Sequence, residues 1–367
     1  MSHRSIDQQH NNTRDLTLAD YGWDDDRENS FESFRADGLV PARVVRAERG
    51  HCDVVTEDGP AQAAVPSSNS PDRLHPCTGD WVALQAENTT QSAAVAAILD
   101  RRTAIIRGTA ARTSRGQVLA ANVDTVAVVV SLAGPVRHGR VERMLALAWA
   151  SGATPIVVLT KADRCADPGS AVAELTALSP GARVLLTSAA TGEGVDALVA
   201  ELSGTVVLLG SSGAGKSTLG NRLLGEDVLA TDEIRETDGK GRHTTTWREL
   251  LPLPHGGVLV DTPGLRGIGL HDADDGLDQA FADIAELADG CRFRDCGHTA
   301  EPDCAVLAAV ESGVLAARRV ASYRRLLREN AYVASLTDAR LREEQKRSAK
   351  QIARLQREIY RSGRRRK

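Results

Sequence analysis

The stretch from Thr205 to Thr218 constrains this chain more than any other. Thr205-Val206-Val207-Leu208-Leu209 reads as a buried strand. It runs directly into Gly210-Ser211-Ser212-Gly213-Ala214-Gly215-Lys216-Ser217-Thr218, and Lys216–Leu224 reads as a helix. Strand, G-x-x-x-x-G-K-S turn and helix together make a phosphate-binding loop. Its glycines let the backbone wrap an anion at close range, and its amides and the helix N-terminus face the negative charge. In that pattern Lys216 reaches the β- and γ-phosphates, and the Ser217 hydroxyl binds Mg²⁺. An α/β domain with a largely parallel sheet is therefore expected, with strands Val123–Leu132, Pro155–Thr160, Ala182–Thr187, Thr205–Leu209 and Gly257–Asp261 alternating with helices.

Two further turns sit at the ends of these strands, where ligands bind in open α/β sheets. Asp261-Thr262-Pro263-Gly264 follows the phosphate loop by about 45 residues; its Asp can hold Mg²⁺ through water and the Gly264 amide can approach a γ-phosphate. Thr160-Lys161-Ala162-Asp163 ends the second strand. A carboxylate at Asp163 can accept from both N1–H and the 2-amino group of guanine, a donor pair that adenine lacks, while the Lys161 stem covers the base. Ser188-Ala189, after the third strand, can offer a backbone amide to guanine O6. Between the two phosphate motifs, Asp238–Thr246 is glycine-rich and polar and suits a mobile switch; Thr245 or Thr246 is its candidate Mg²⁺ ligand. The order is unusual. Common GTPases place the phosphate loop first and the base-reading motif last, whereas here Asp163 precedes Lys216. The strand bearing Asp261 consequently leads straight into the C-terminal segment.

The flanks differ from this centre. Residues 1–37 are polar and acidic, with the run Asp24-Asp25-Asp26, and are expected to be mostly disordered. Residues 38–106 carry short strands at roughly ten-residue spacing, the last at Thr103–Arg107, as in a small all-β barrel; an OB-type barrel suits the length, although other small barrels and sandwiches share the pattern. After residue 270 the pattern is helical, and Thr337–Arg361 reads as one long charged helix ending in Arg364-Arg365-Arg366-Lys367. The formal net charge of −4 thus hides an acidic start and a basic end, a layout that suits an anionic partner. Of six cysteines, Cys291, Cys296 and Cys304 cluster around His298. Three thiolates and one imidazole make a closed tetrahedral set, expected to hold one structural Zn²⁺. No apolar run reaches the roughly 18 residues of a membrane span and the polar N-terminus lacks a signal peptide, so a cytoplasmic protein is expected.

Together these residues resemble the circularly permuted ribosome small-subunit-dependent GTPases, the RsgA/YjeQ family. The similarity runs from about residue 38 to 335 and includes Gly79-Asp80-Trp81-Val82, Ala120–Asp124 and Gly241-Arg242-His243-Thr244-Thr245-Thr246 besides the motifs above. The resemblance implies an OB-type RNA-binding domain at 38–106, a permuted G domain at 107–270 and a zinc-binding domain at 271–335; the acidic extension at 1–37 and the basic helix and tail at 336–367 lie outside the shared pattern. It implies a GTPase acting on the 30S subunit in late maturation, hydrolysing GTP to GDP; 16S rRNA is the expected partner and a monomer the expected state. Leu265 stands where a Ras-type enzyme has a water-orienting glutamine, so slow intrinsic hydrolysis is expected, with His243 as candidate for that task. Three other functions are weighed beside it: an ATPase without an RNA partner, opposed by Asp163; a scaffold with a vestigial nucleotide site, opposed by intact Lys216, Ser217 and Asp261; and a GTP-regulated RNA-binding protein acting independently of the ribosome.

Overall fold

A computed structural model describes residues 16–66, 75–86, 92–107, 117–229, 248–261 and 273–337. Strands β1 (Val40–Ala47), β2 (His51–Thr56), β3 (Gly59–Ala64), β4 (Trp81–Gln85) and β5 (Ala94–Ile98) close into a barrel of order β1-β2-β3-β5-β4. Small residues let it close tightly: Ala42, Ala63 and Cys52 share its interior with Val44, Val54, Val82, Leu84 and Val95. The alternate residues Val45, Val55, Trp81 and Ala83 face outward into the main core of the molecule.

The last strand expected for the barrel does not belong to it. β6 (Ala104–Arg107) pairs antiparallel with β7 (Gln117–Ala121) in a separate two-stranded sheet. A four-residue apolar run names no partner, and here the partner lies beyond the barrel.

A second expectation fails at the N-terminus. Leu18–Tyr21 forms a 3₁₀ turn and Asp25–Ala36 forms helix α1. The acidic run that suggests disorder by composition is a helix start by position. The Asp24 side chain accepts from the Arg27 amide at 2.8 Å, and Asp25, Asp26 and Glu28 occupy the first turn, where the helix dipole favours them. Trp23 packs edge-on against Phe31 and Trp81, and Phe31 is fully buried. Residues 1–15 lie outside the described part of the chain.

Polar groups join this segment, the barrel and the next domain. Buried Arg43 on β1 donates to Tyr21 O, Asn122 O and Thr205 Oγ1 at 3.1, 3.2 and 3.0 Å and stacks over Trp81. Arg27 donates to Asn122 Oδ1 at 2.7 Å, and Asn122 itself holds a left-handed φ of 53°. Gly79 packs so closely on Ala121 that an added Cβ would stand 2.2 Å from its carbonyl oxygen.

The central sheet has the order β10-β9-β8-β11-β13-β12, with β8 (Thr125–Ser131), β9 (Thr154–Thr160), β10 (Arg183–Leu186), β11 (Thr205–Gly210), β12 (Glu249–Pro252) and β13 (Val258–Asp261). All pairs are parallel except β12·β13, an antiparallel edge that helix–strand alternation does not announce. Val-rich β8 and β11 lie side by side at the centre, buried on both faces, as parallel strands require. From β8 the chain proceeds to β9 and β10 on one side and returns to β11 and β13 on the other. Helices α2 (His138–Ala150), α3 (Pro168–Leu178), α4 (Val195–Glu201) and α5 (Lys216–Leu224) connect the strands.

The C-terminal helices are α6 (Asp274–Ala280), α7 (Ala282–Ala288), α8 (Ala305–Glu311) and α9 (Ala317–Thr337). The expected helix beyond Thr337 lies outside the described residues. α6 seats on α2 through Gly276, where a Cβ would meet Ala146 O at 2.4 Å. Beside it, buried Arg319 on α9 donates to Glu142 Oε1 on α2 at 3.0 Å, to both Asp283 oxygens at 2.6 and 2.7 Å, and to Ala280 O. Arg319→Ala would strand the buried Glu142 carboxylate, so a loss of roughly 3–5 kcal/mol is expected in urea unfolding. Unchanged stability would show that the C-terminal helices dock without this network.

Candidate nucleotide and metal sites

The phosphate loop leaves the C-terminal end of β11 beside β8. Gly210 is required there because a Cβ would lie 2.6 Å from Val129 O. Gly213 and Gly215 turn the chain at φ of 73° and 89° into α5, whose first turn carries the amides of Lys216, Ser217 and Thr218. Lys216 Nζ lies over the loop, donating to Gly210 O and Ser211 O at 2.9 and 2.8 Å. Those bonds hold the ammonium among the loop carbonyls.

The turn after β9 is stitched to this loop. Thr160 Oγ1 donates to Ala214 O at 2.6 Å, and Lys161 Nζ donates to Gly213 O at 2.9 Å from a left-handed backbone, φ 59°. A threonine thus supplies a tether between the base-side turn and the phosphate side. Ala162 N–H donates to Thr187 O, fixing the Thr160–Asp163 turn against the Ser188 turn. Ser188 Oγ donates to Asp163 Oδ1 at 2.6 Å while accepting from the Thr191 amide at 3.3 Å. The Ser188 amide is committed to Glu193 O at 2.9 Å. Of the two amides expected near guanine O6, the one at Ala189 carries no partner among the described residues.

Asp261 ends β13 in register with Glu249 on β12. Burial, reinforced by Glu249, pushes its carboxyl up to about 6. A carboxylate so placed gains from a divalent cation. Thr262–Gly264, Leu265, His243, Thr245 and Thr246 lie outside the described residues.

A cleft of about 420 Å³ opens beside the loop. Among the described residues its walls include Ser211–Ala214, Lys161, and Arg137 and Arg140 at the start of α2. No sequence motif marks those two arginines, since an arginine in a strand–helix connection carries none. Nor does one mark Glu249, whose influence on Asp261 exists only through the antiparallel pairing of β12.

Cys291, Cys296, His298 and Cys304 converge, with their ligand atoms all within 4.8 Å of one another. Cys291 Sγ lies 3.8 Å from Cys304 Sγ, and His298 Nδ1 lies 3.4 Å from Cys304 Sγ and 3.7 Å from Cys291 Sγ. A tetrahedral ion with standard Zn–S and Zn–N bonds needs S···S near ~3.8 Å and S···N near ~3.5 Å. The residues therefore fit zinc, with no ligand position left for a substrate. Cys304 also caps α8, its sulfur accepting from the Leu307 amide. Glu301 gathers the amides of Gly297, Thr299 and Ala300, and the bonds from Thr299 and Ala300 hold its carboxyl down at about 2.

Comparison with known proteins agrees with this architecture. The RsgA GTPase family pattern matches residues 98–271. The chain is 55% identical to the small ribosomal subunit biogenesis GTPase RsgA of Streptomyces coelicolor over 333 residues, 89% of this chain and 90% of that protein. It is 54% identical to the protein of the same description in Streptomyces avermitilis, over 91% of each chain. Among solved structures, YjeQ from Thermotoga maritima superposes with a TM-score of 0.60 at 28% identity, covering 79% of this chain and 98% of that one. YloQ, described as a circularly permuted GTPase, gives a TM-score of 0.55 at 25% identity over 82% and 96%.

Proposed function

Since the chain belongs to the RsgA GTPase family, we propose that it hydrolyses GTP to GDP and phosphate in the maturation of the small ribosomal subunit. The observation that carries this is the tie between two motifs in permuted order: Thr160 and Lys161, on the base side, hydrogen-bonded to Ala214 and Gly213 of the phosphate loop.

In this proposal the α5 N-terminus and loop amides of Gly210–Gly215 receive the phosphates. Lys216 swings from its carbonyl partners onto the β- and γ-phosphates as charge moves toward the leaving group. A Mg²⁺ ion arriving with GTP would neutralise phosphate charge, held by Ser217 and, through water, by Asp261, with Thr245 or Thr246 closing from the switch. Asp163 accepts from guanine N1–H and the 2-amino group, and Ala189 N–H donates to O6. Gly264 senses the γ-phosphate and His243 orients the water. The barrel (38–106) and zinc-binding helices (271–335) would flank the G domain (107–270) as the parts that engage 16S rRNA, with the basic tail (336–367) adding charge. Residues 1–37 form an acidic N-terminal extension to them. No helix among the described residues is long and apolar enough to cross a membrane, and a monomer working in the cytoplasm suits a ribosomal partner.

Positioning and charge stabilisation supply nearly all of phosphoryl-transfer catalysis, and Leu265 offers neither to the water. The expected result is slow turnover of the free protein, stimulated about tenfold or more by purified small subunits and not by large ones; ordering the switches is the step that a partner supplies. Lys216→Ala should remove the stimulated turnover, and His243→Ala should lower it more than GTP affinity. Equal turnover with and without small subunits at low salt would leave a free-standing GTPase as the better description.

A further inference from the structure

Six arginines on two adjoining elements have no carboxylate partner among the described residues. Arg137 and Arg140 stand at the start of α2, and Arg318, Arg324, Arg325 and Arg328 lie on α9. Several arginines elsewhere do meet a carboxylate, among them Arg35, Arg46, Arg101, Arg102, Arg183 and Arg292. The two groups adjoin through Gly139. Its missing side chain leaves room for Arg325, whose Nη2 would lie 2.7 Å from a Cβ there. Arg325 therefore rests on the first turn of α2, next to Arg140.

The α9 arginines form one stripe. Arg318, Arg325, Arg328 and Tyr332 are spaced by about seven, three and four residues, which stacks them on a single helix face. The opposite face buries Val320, Leu326 and Asn330. Tyr332 is 59% exposed, unusual for a ring that the adjacent core could have covered. Arg143, though paired with Glu329, is held below its usual range by burial first and then by the nearby charge of Arg325. Arg137 and Arg140, which adjoin the stripe at Gly139, line the cleft whose other wall is the phosphate loop.

We propose that this ridge, from Arg137 and Arg140 over Arg325 to Arg328 and Tyr332, is a binding track for a strand of ribosomal RNA. Guanidinium groups in a row without carboxylate partners suit a run of phosphates, to which arginine binds bidentately. An exposed ring beside them offers a face for an unstacked base. One end of the track shares a wall with the nucleotide cleft, so RNA lying on it and nucleotide in the loop would sense each other at Arg137 and Arg140. This inference rests on the ribosomal function proposed above.

The test titrates the wild-type chain and the double variant Arg325→Ala/Arg328→Ala onto purified small subunits across a salt series. Turnover without subunits is followed in parallel. Removing two phosphate contacts should weaken binding on the order of tenfold at moderate salt and make log affinity against log salt shallower by about two. Turnover of the free variant should equal that of the wild type. Identical affinity and slope for the two proteins would overturn the track. If the wild type itself neither binds nor is stimulated, the ribosomal function fails and the track with it. Ultraviolet cross-linking of the wild-type complex separates the two classes of partner. RNA adducts on α9 peptides support the proposal, whereas cross-links from α9 to ribosomal protein alone would replace it with a protein-binding face.

Discussion

Asp163→Asn should exchange the nucleotide preference of this chain, from GTP to xanthosine triphosphate. The geometry makes the direction specific. Ser188 Oγ receives the Thr191 amide, so its own proton is directed at Asp163 Oδ1. In the asparagine variant the amide oxygen keeps that proton, which turns the amide NH₂ toward the base. Facing guanine, the NH₂ meets the 2-amino group, donor against donor. Facing xanthine, it meets the acceptor oxygen at C2, while N1–H is common to both bases. Thr160 and Lys161 hold the turn to Ala214 and Gly213 without using Asp163, so the platform survives the substitution. A site whose hydrogen-bonding groups are left mismatched typically rejects a ligand by about 10⁴-fold, and GTP affinity should fall by roughly that order. Equilibrium competition between the two nucleotides, with thermal unfolding as a control, measures it. Parallel weakening of both nucleotides in a variant that folds normally would reduce Asp163 to a structural role.

The parts of this molecule legible in its sequence are those whose spacing is dictated by local geometry. Thr205–Ser217 is one, because a strand, a turn able to reach positive φ and a helix must follow in fixed register for the loop to exist. Val-rich β8, β9 and β11 are another, since burial on both faces leaves continuous apolar runs. The Cys/His set is a third, because residue type and spacing alone point to the four side chains that converge in the fold.

What escaped depends on distant partners or on position. Asp24, Asp25 and Asp26 count toward disorder in a composition and toward a capped helix in a register, and burial of Phe31 against Trp23 decides between the two. Ala104–Arg107 reads as a strand in either sheet; only its pairing with Gln117–Ala121 assigns it. Glu249–Pro252 ends in proline, which weakens its strand signal, and proline is tolerated there because β12 is an edge. Arg43, Asn122 and Thr205 meet across 79 and 162 residues of sequence, beyond any local pattern. The same holds for Arg325 over Gly139, which brings the two groups of arginines together.

Removing zinc should unfold the segment that carries its ligands while the G-domain sheet persists. Residues 291–304 contain little regular structure of their own: α8 begins only at Ala305, and the loop before it is crossed by single backbone bonds such as Arg292 N–H to Asp303 O. His298 and Asp303 both hold left-handed backbone, at φ of 51° and 56°, a conformation that costs side-chain-bearing residues about 1 kcal/mol or more each. Three sulfurs this close cannot all remain thiolates without a cation between them. Binding of structural zinc is worth about 10–16 kcal/mol in isolated zinc-finger peptides at neutral pH, more than enough to offset these terms. The apolar contacts of Phe281, Ile284, Val306, Leu315 and Leu326 belong to the core shared with α2, so part of the helical region should stay docked. Elemental analysis is expected to give about one zinc per chain, as a single four-ligand site requires. A strong chelator, or Cys304→Ser, should expose Arg292 and Arg294 to trypsin well before any arginine of α2. Cys304→Ser should show the larger effect, because it also removes the sulfur that caps α8. Acidification should release the ion as thiolates and imidazole take up protons, with retention favoured at neutral and alkaline pH. Protein purified without chelator that contains no metal, or a tryptic pattern indifferent to chelation, would mean that the four side chains converge for packing alone.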